Sequence, residues 1–308
     1  YEGDPLVLED DSLGVLKKLL PQASSVTFPN ALSDIIDLRS FPGGTVSYFS
    51  IKQDKPRGYT VGVNLQDGVV SINQNWETWD HPENDCQTPE CYEQYALQLS
   101  DLPDDETLYA IADAFLREHG VDVSHYGSPI LNDYWRRQNA RATLPEEQII
   151  PGAAEVIYPL LIDGESVYEQ HGVPAGISVS INMQQKAVSD IWNLGTQNFE
   201  RSSYPAVTDA DAILLYIKAF GQRFSMEPPP GRTAETVTIV MGTPLHGFTR
   251  MYRMVGDHQE ELLVPALIFP VTSMENAPVY FDRQNIVVPL VAEFLVNQDM
   301  PVPLLEKQ

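Results

Sequence analysis

The sequence predicts an α+β protein built from tandem antiparallel β-meander sheets, each packed by an amphipathic helix. Three observations lead to it. Tyr59–Ser71 aligns without a gap against Ile177–Ser189, with identities at Val61/Val179, Asn64/Asn182, Gln66/Gln184, Val70/Val188 and Ser71/Ser189, all at an offset of 118 residues. Each block is followed by a helix pattern that opens on acidic residues. Beyond the second helix the chain reads as strands alone.

Taken in order, Asp10–Leu20 predicts a short helix, because Leu13, Leu16, Leu19 and Leu20 recur at helical spacing and Pro21 follows. From residue 45 the period changes to two. Val46, Tyr48 and Ser50 mark one strand, and Tyr59, Val61, Val63 and Leu65 mark the next. A Gln66–Gly68 turn then returns the chain through Val69–Trp76. After Pro103, Asp104 is placed as a helix cap, Asp105 and Glu106 suit the first turn, and Gly120 is a stop. Leu108, Ile111, Ala112 and Phe115 form one apolar stripe.

The second unit repeats this order. Val156–Ile162 is a strand, Asp163-Gly164 a turn, Ile177–Met183 the next strand and Ala187–Leu194 its return. Thr208 to Asp211 has capping-box spacing ahead of a stripe of Ile213, Leu214, Ile217 and Phe220. Strands follow at Val237–Met241, Phe248–Val255, Glu261–Val271 and Ile286–Val291, with Gly256–Gln259 closing the hairpin between the second and third. With no comparable helix there, this part reads as a half-module completed by another part of the chain. The domains expected are a helical segment 1–44, a first module 45–135, a polar linker 136–152, a second module 153–225, a Pro-rich linker 226–232 and a strand-rich module 233–308.

A length of 308 residues suits two or three compact modules. The net charge of −24 repels phosphate backbones and anionic lipids, so nucleic acid is excluded as a natural partner. No apolar run reaches the roughly 20 residues that span a bilayer. The chain opens on Tyr1, as one does whose leader has been removed or that was trimmed, and an anchor ahead of Tyr1 fits the same reading. Cys86 and Cys91, the only cysteines, stand with four residues between them. That spacing suits a local disulfide and an oxidising compartment, with free thiols or a metal pair as the alternatives. The missing Asn-x-Ser/Thr acceptor favours a bacterial source for an exported chain.

No nucleophile elbow, zinc-protease helix, phosphate loop or dinucleotide fingerprint occurs. The six histidines are scattered, and Asp209 with Asp211 reads as a cap rather than a calcium loop. No catalytic residue, cofactor or metal is therefore assigned. Two segments stand out as partner-binding candidates. Trp76, Trp79, Asp80 and His81 sit on the loop that the cysteines clip, where aromatics form a pre-organised recognition surface or else cover the end of the sheet. Tyr134, Trp135, Arg136 and Arg137 are aromatic and locally basic, suited to docking a partner or to clamping the acids of a neighbouring module.

Strand, hairpin and strand followed by a packed helix, in tandem, resembles the PepSY-type modules of bacterial envelope proteins. The stretch Phe248–Val255, a short turn, then Glu261–Pro270 with its Leu-Val-Pro-Ala phrase is the part most similar to them. The resemblance covers about residues 45–295 and brings no functional residue with it. It implies an extracytoplasmic module that binds or restrains a protein partner and does no chemistry. The function expected is thus a non-catalytic binding or regulatory protein of the bacterial envelope, without nucleic acid and without a transmembrane segment in this chain. A self-associating surface-assembly protein and a secreted hydrolase of unrecognised kind are the alternatives.

Overall fold

The computed structural model describes residues 12–19, 47–65, 67–207, 209–222, 237–256, 258–277 and 282–296. Val46, Thr208, the Pro-rich linker at 226–232 and the rest of the 1–44 segment lie outside them. The strands in chain order are β1 (Ser12–Lys18), β2 (Tyr48–Lys52), β3 (Tyr59–Asn64), β4 (Val69–Gln74), β5 (Ile130–Asn132), β6 (Ala153–Pro159), β7 (Leu161–Ile162) and β8 (Glu165–Glu169). They continue as β9 (Gly176–Asn182), β10 (Ala187–Gly195), β11 (Phe199–Pro205), β12 (Thr238–Met241), β13 (Leu245–Val255), β14 (His258–Glu275) and β15 (Asn285–Pro289). The helices are α1 (Pro89–Tyr95), α2 (Asp105–Glu118), α3 (Tyr134–Arg141), α4 (Ala210–Gln222) and α5 (Ala292–Val296).

This is an α+β fold of two mostly antiparallel sheets. The seven-stranded sheet runs β2-β3-β4-β10-β9-β6-β5. The two hairpins that share the repeated block are therefore in one sheet, meeting return strand to return strand, with Ile72 opposite Ile191 and Asn73 opposite Asp190. One face of this sheet is apolar because every second residue of its strands is. Val156, Tyr158, Ile177, Val179, Ile181 and Ile191 pack there against Leu108, Ala112, Phe115 and Leu116 of α2. Local chemistry sets the bounds of α2. Asp104 accepts from the Thr107 amide at 2.9 Å, and Gly120 takes a φ of +66° just past the end. The opposite face of the sheet is largely polar, with Ile130 and Ile157 also on it. Register pairing aligns Asn132, Glu155, Ser180, Asp190, Asn73, Thr60 and Lys52 in one row across all seven strands.

The second sheet has eight strands, in the order β11-β1-β14-β13-β8-β7, with β12 and β15 also on β14. All pairings in it are antiparallel except β13 with β8. Asp163 and Gly164, both at positive φ, make the turn between β7 and β8. The long β14 is apolar from Leu262 to Phe269 because both of its faces are covered. Ile213 and Tyr216 of α4 pack on Leu267, Phe269 and Val288. The C-terminal strands are thus completed by β1, β8, β11 and α4, which come from earlier in the chain.

Two expectations need correction. The residues read as an N-terminal helix, Ser12–Lys18, form β1 between β11 and β14. Val15 and Leu16 are both buried, but in different clusters. A strand covered on two faces shows adjacent apolar residues, and these mimic part of a helical stripe. Gly14 and the β-branched Val15 also disfavour a helix there. The linker begun at residue 136 is helical as far as Arg141. Its pattern gave no stripe because only Trp135 is buried in α3.

Candidate protein-interaction surface

At the outer edge of the seven-stranded sheet, β2 is exposed along its whole length, including Tyr48, Phe49 and Ile51. The reason is geometric: α2 lies over β6, β9 and β10 and does not reach this edge. Among the described residues β2 pairs with β3 alone, so its outer N–H and C=O groups face outward.

The loop after β4 is pinned to the β2–β3 turn. Asn75 is buried and donates from Nδ2 to the Gln53 carbonyl at 2.8 Å, while its amide donates to the Gly58 carbonyl at 2.9 Å. Thr78 Oγ1 accepts from the Gly58 amide at 3.0 Å. The Trp79 indole donates to the Gly58 carbonyl at 2.8 Å and meets Tyr59 edge to face at 5.8 Å. Trp79 is 5% exposed and belongs to the interior. Trp76 points the other way at 66% exposure, stacked on the His81 ring at a centroid distance of 4.5 Å. Lys52 at the end of β2 bridges to Glu77 at 2.6 Å across the outside. The Asp80 carbonyl accepts from Gln185 Nε2 at 2.6 Å, which holds the loop to the β9–β10 turn. Cys86 and Cys91 are disulfide-bonded, and α1, which contains Cys91, carries the exposed Tyr92 and Tyr95. The exposed Trp76, on a loop pinned to the β2–β3 turn, thus stands close to an open strand edge, an arrangement suited to main-chain pairing with an anchoring side contact.

The second predicted segment lies elsewhere and faces inward. Trp135 is buried, with the Arg136 guanidinium 4.9 Å over its ring. Arg136 ion-pairs with Asp105 in the first turn of α2, and Arg137 bridges to Asp282 at 2.6 Å as well as to Asp133. Arg141 approaches Asp282 at 3.6 Å. Arg136 therefore holds the Asp105 carboxyl below its usual range. Tyr134 alone of the four is well exposed.

Three titratable groups outside these segments, His119, Tyr59 and Tyr158, take structural roles. His119 caps the end of α2, stacked on Phe115 with Nδ1 2.9 Å from the Phe115 carbonyl. Burial pushes Tyr59 up to about 12, and its hydroxyl donates to the Val188 carbonyl at 2.7 Å. Tyr158 is raised too, by burial first, and donates to Asp113 at 2.5 Å. Among the described residues no group of three His, Cys, Asp or Glu is placed to hold a metal ion, and no helix is long and apolar enough to cross a membrane.

Sequence reasoning missed the β2 edge as a candidate. Phe49 and Ile51 share one face of β2 and Tyr48 stands on the other, a pattern that a covered strand shows as well, so no local signal marks the edge as open.

No protein-family model matches the chain, and no curated protein matches it. Two solved structures are similar over most of its length. One is an uncharacterized protein from Eubacterium rectale, 8% identical, covering 91% of this chain and 82% of that one at a TM-score of 0.32. The other is the C-terminal domain of YpeB from Bacillus megaterium, 8% identical, covering 81% of this chain and 92% of that one at a TM-score of 0.26.

Proposed function

We propose that this chain is a non-catalytic binding module of the bacterial envelope that engages an extended segment of a protein partner along β2. The observation that carries the reading is the open β2 edge with Tyr48, Phe49 and Ile51 exposed beside Trp76 on a pinned loop. An edge strand offers a ladder of main-chain donors and acceptors, and flanking aromatics add contact area at low entropic cost. Natural sheets protect such edges with charge, proline or a bulge, and β2 has only Lys52 at one end. The Cys86–Cys91 bond supports an oxidising compartment. The resemblance of the hairpin-plus-helix pattern to PepSY-type modules supports the same placement.

The test is photocrosslinking in the native envelope from Ile51 and from Trp76, with Tyr134 as the control position. One discrete protein joined at Ile51 and Trp76 but not at Tyr134, and lost in Ser50→Pro, which removes an outward-facing amide of β2, is the expected result. Copies of this chain captured in its place, with a dimer by sedimentation at micromolar concentration, would replace the reading with self-assembly. Equal capture at all three positions would reject the β2 edge as the contact.

A further inference from the structure

The face of the seven-stranded sheet turned away from α2 is built unlike the rest of the surface. Glu155 lies opposite Ser180, Ser180 opposite Asp190 and Asp190 opposite Asn73, so the four form one transverse row. The row places two carboxylates on one face, two strand spacings or roughly 10 Å apart along the backbone. One pleat further along, Trp192 lies opposite Ser178 and is 47% exposed. Ser178 Oγ donates to Glu155, and Asn132 Nδ2 donates to the same carboxylate at 2.8 Å, which fixes its orientation. Among the described residues neither Glu155 nor Asp190 is in an ion pair, although Asp190 is half-buried. Burial without a cation raises its pKa.

We propose that this face binds an oligosaccharide carrying protonated amino groups, with Trp192 as the stacking platform and Glu155 and Asp190 as the ammonium acceptors. Three features select that ligand. The strands under the row are interior ones whose main-chain groups are consumed by their neighbours, so an extended peptide has nothing to pair with there. The groups around the exposed indole are hydroxyls, carboxamides and carboxylates, with Ile157 and Ile130 beside Ser178 on the same face, a mixture that matches the polar rim and apolar ring face of a sugar. Strands repeat every 4.8 Å or so, close to the length of one sugar residue, so the two carboxylates meet amino groups two rings apart. Two carboxylates without cations, on a chain of net charge −24, complement a cationic ligand and repel an anionic one. This site is separate from the β2 edge, since β3 and β4 lie between β2 and the strands that carry Trp192, Glu155 and Asp190.

The test is calorimetric titration of the full chain with a fully deacetylated glucosamine hexamer, its N-acetylated counterpart and spermine. The expected result is binding of the glucosamine hexamer, with the N-acetylated hexamer and spermine each several-fold weaker or silent. Trp192→Ala is expected to weaken binding by about ten-fold and Trp192→Phe to retain most of it, as a stacking role requires. Glu155→Gln combined with Asp190→Asn is expected to weaken it as much and to flatten its salt dependence. Because Trp192 is exposed, its variants keep the fold, which the thermal midpoint checks. No binding, equal binding of the two hexamers, spermine binding as tightly, or indifference to Trp192→Ala would each overturn the proposal.

Discussion

Trp76 and Trp79 are three residues apart and have opposite energetic weight. Trp79 fills the space between Gly58 and Tyr59 and satisfies its indole N–H there. Truncating it leaves a cavity and removes one of the two hydrogen bonds to the Gly58 carbonyl, so Trp79→Ala is expected to cost about 3–5 kcal/mol. Trp76→Ala, at an exposed site, is expected to change stability by no more than about 0.5 kcal/mol. Urea unfolding of the two variants checks both, and equal losses would show that Trp76 also belongs to the core. Asp190 makes the opposite prediction. Its folded pKa is raised, by burial first, so the stability it allows is present below the unfolded carboxylate value and lost as pH rises through the folded value. Above the unfolded carboxylate value it weighs against the fold. Asp190→Asn is therefore expected to raise the thermal midpoint at pH 7 and to leave it unchanged near pH 3. A residue kept at that cost on an open face is what a binding role predicts.

At the scale of elements, α3 works as a connector. Its arginines reach Asp105 on one side and Asp282, just ahead of β15, on the other. These side chains are only partly exposed, and Arg137 holds Asp282 from both Nε and Nη2. A double-mutant cycle on Arg137→Ala and Asp282→Asn is expected to give a coupling of about 1 kcal/mol. Amide exchange should quicken in α3 and near residue 285 in either single variant. A coupling near zero would mean that α3 is held by Trp135 and by the Arg136–Asp105 pair instead. A similar pattern ties β1 to the hairpin of β13 and β14, where Lys17 pairs with Glu260 and Lys18 with Glu261 at 3.1 Å. Strand order there is thus reinforced by charge as well as by apolar packing.

For the whole molecule the balance of 43 acids against 19 bases dominates the response to pH. Several carboxyls have folded pKa values below their ordinary ones: Asp105 through Arg136, Glu260 through Lys17 and Arg253, and Asp104 through the Thr107 cap. Stability from these is present above the unfolded carboxylate values and lost as pH falls through the folded ones. Self-repulsion of the acidic surface acts in the other direction and grows as pH rises away from the pI near 4.4. The thermal midpoint is therefore expected to peak between about pH 5 and pH 7, and at pH 8 to rise when salt is increased to about 0.3 M. A midpoint still rising at pH 3 would show that the ion pairs contribute nothing.

Much of this architecture was legible because its signals are local. The cap at Asp104, the stop at Gly120, the turn at Asp163 and Gly164 and the alternation in β3, β9 and β10 depend on a few adjacent residues and on backbone preferences that act before any tertiary contact. The clipped loop was legible for the same reason, since five positions of chain bring Cys86 within reach of Cys91. What lay beyond reach was non-local. Nothing near Val15 and Leu16 says that both faces of the strand are covered, since the cover comes from residues more than a hundred positions away. The indoles of Trp76 and Trp79 are chemically identical, and only the position of Gly58 decides which one is buried. Likewise, β2 is open and the Glu155–Asp190 row is aligned because of where α2 lies and how β4 meets β10. Sequence by itself determined the class of fold and the bounds of its clearest elements, through short-range torsional and capping preferences. The tertiary structure alone decided which strands share a sheet, and therefore which side chains are left to meet a partner, because burial is a property of distant surfaces brought together.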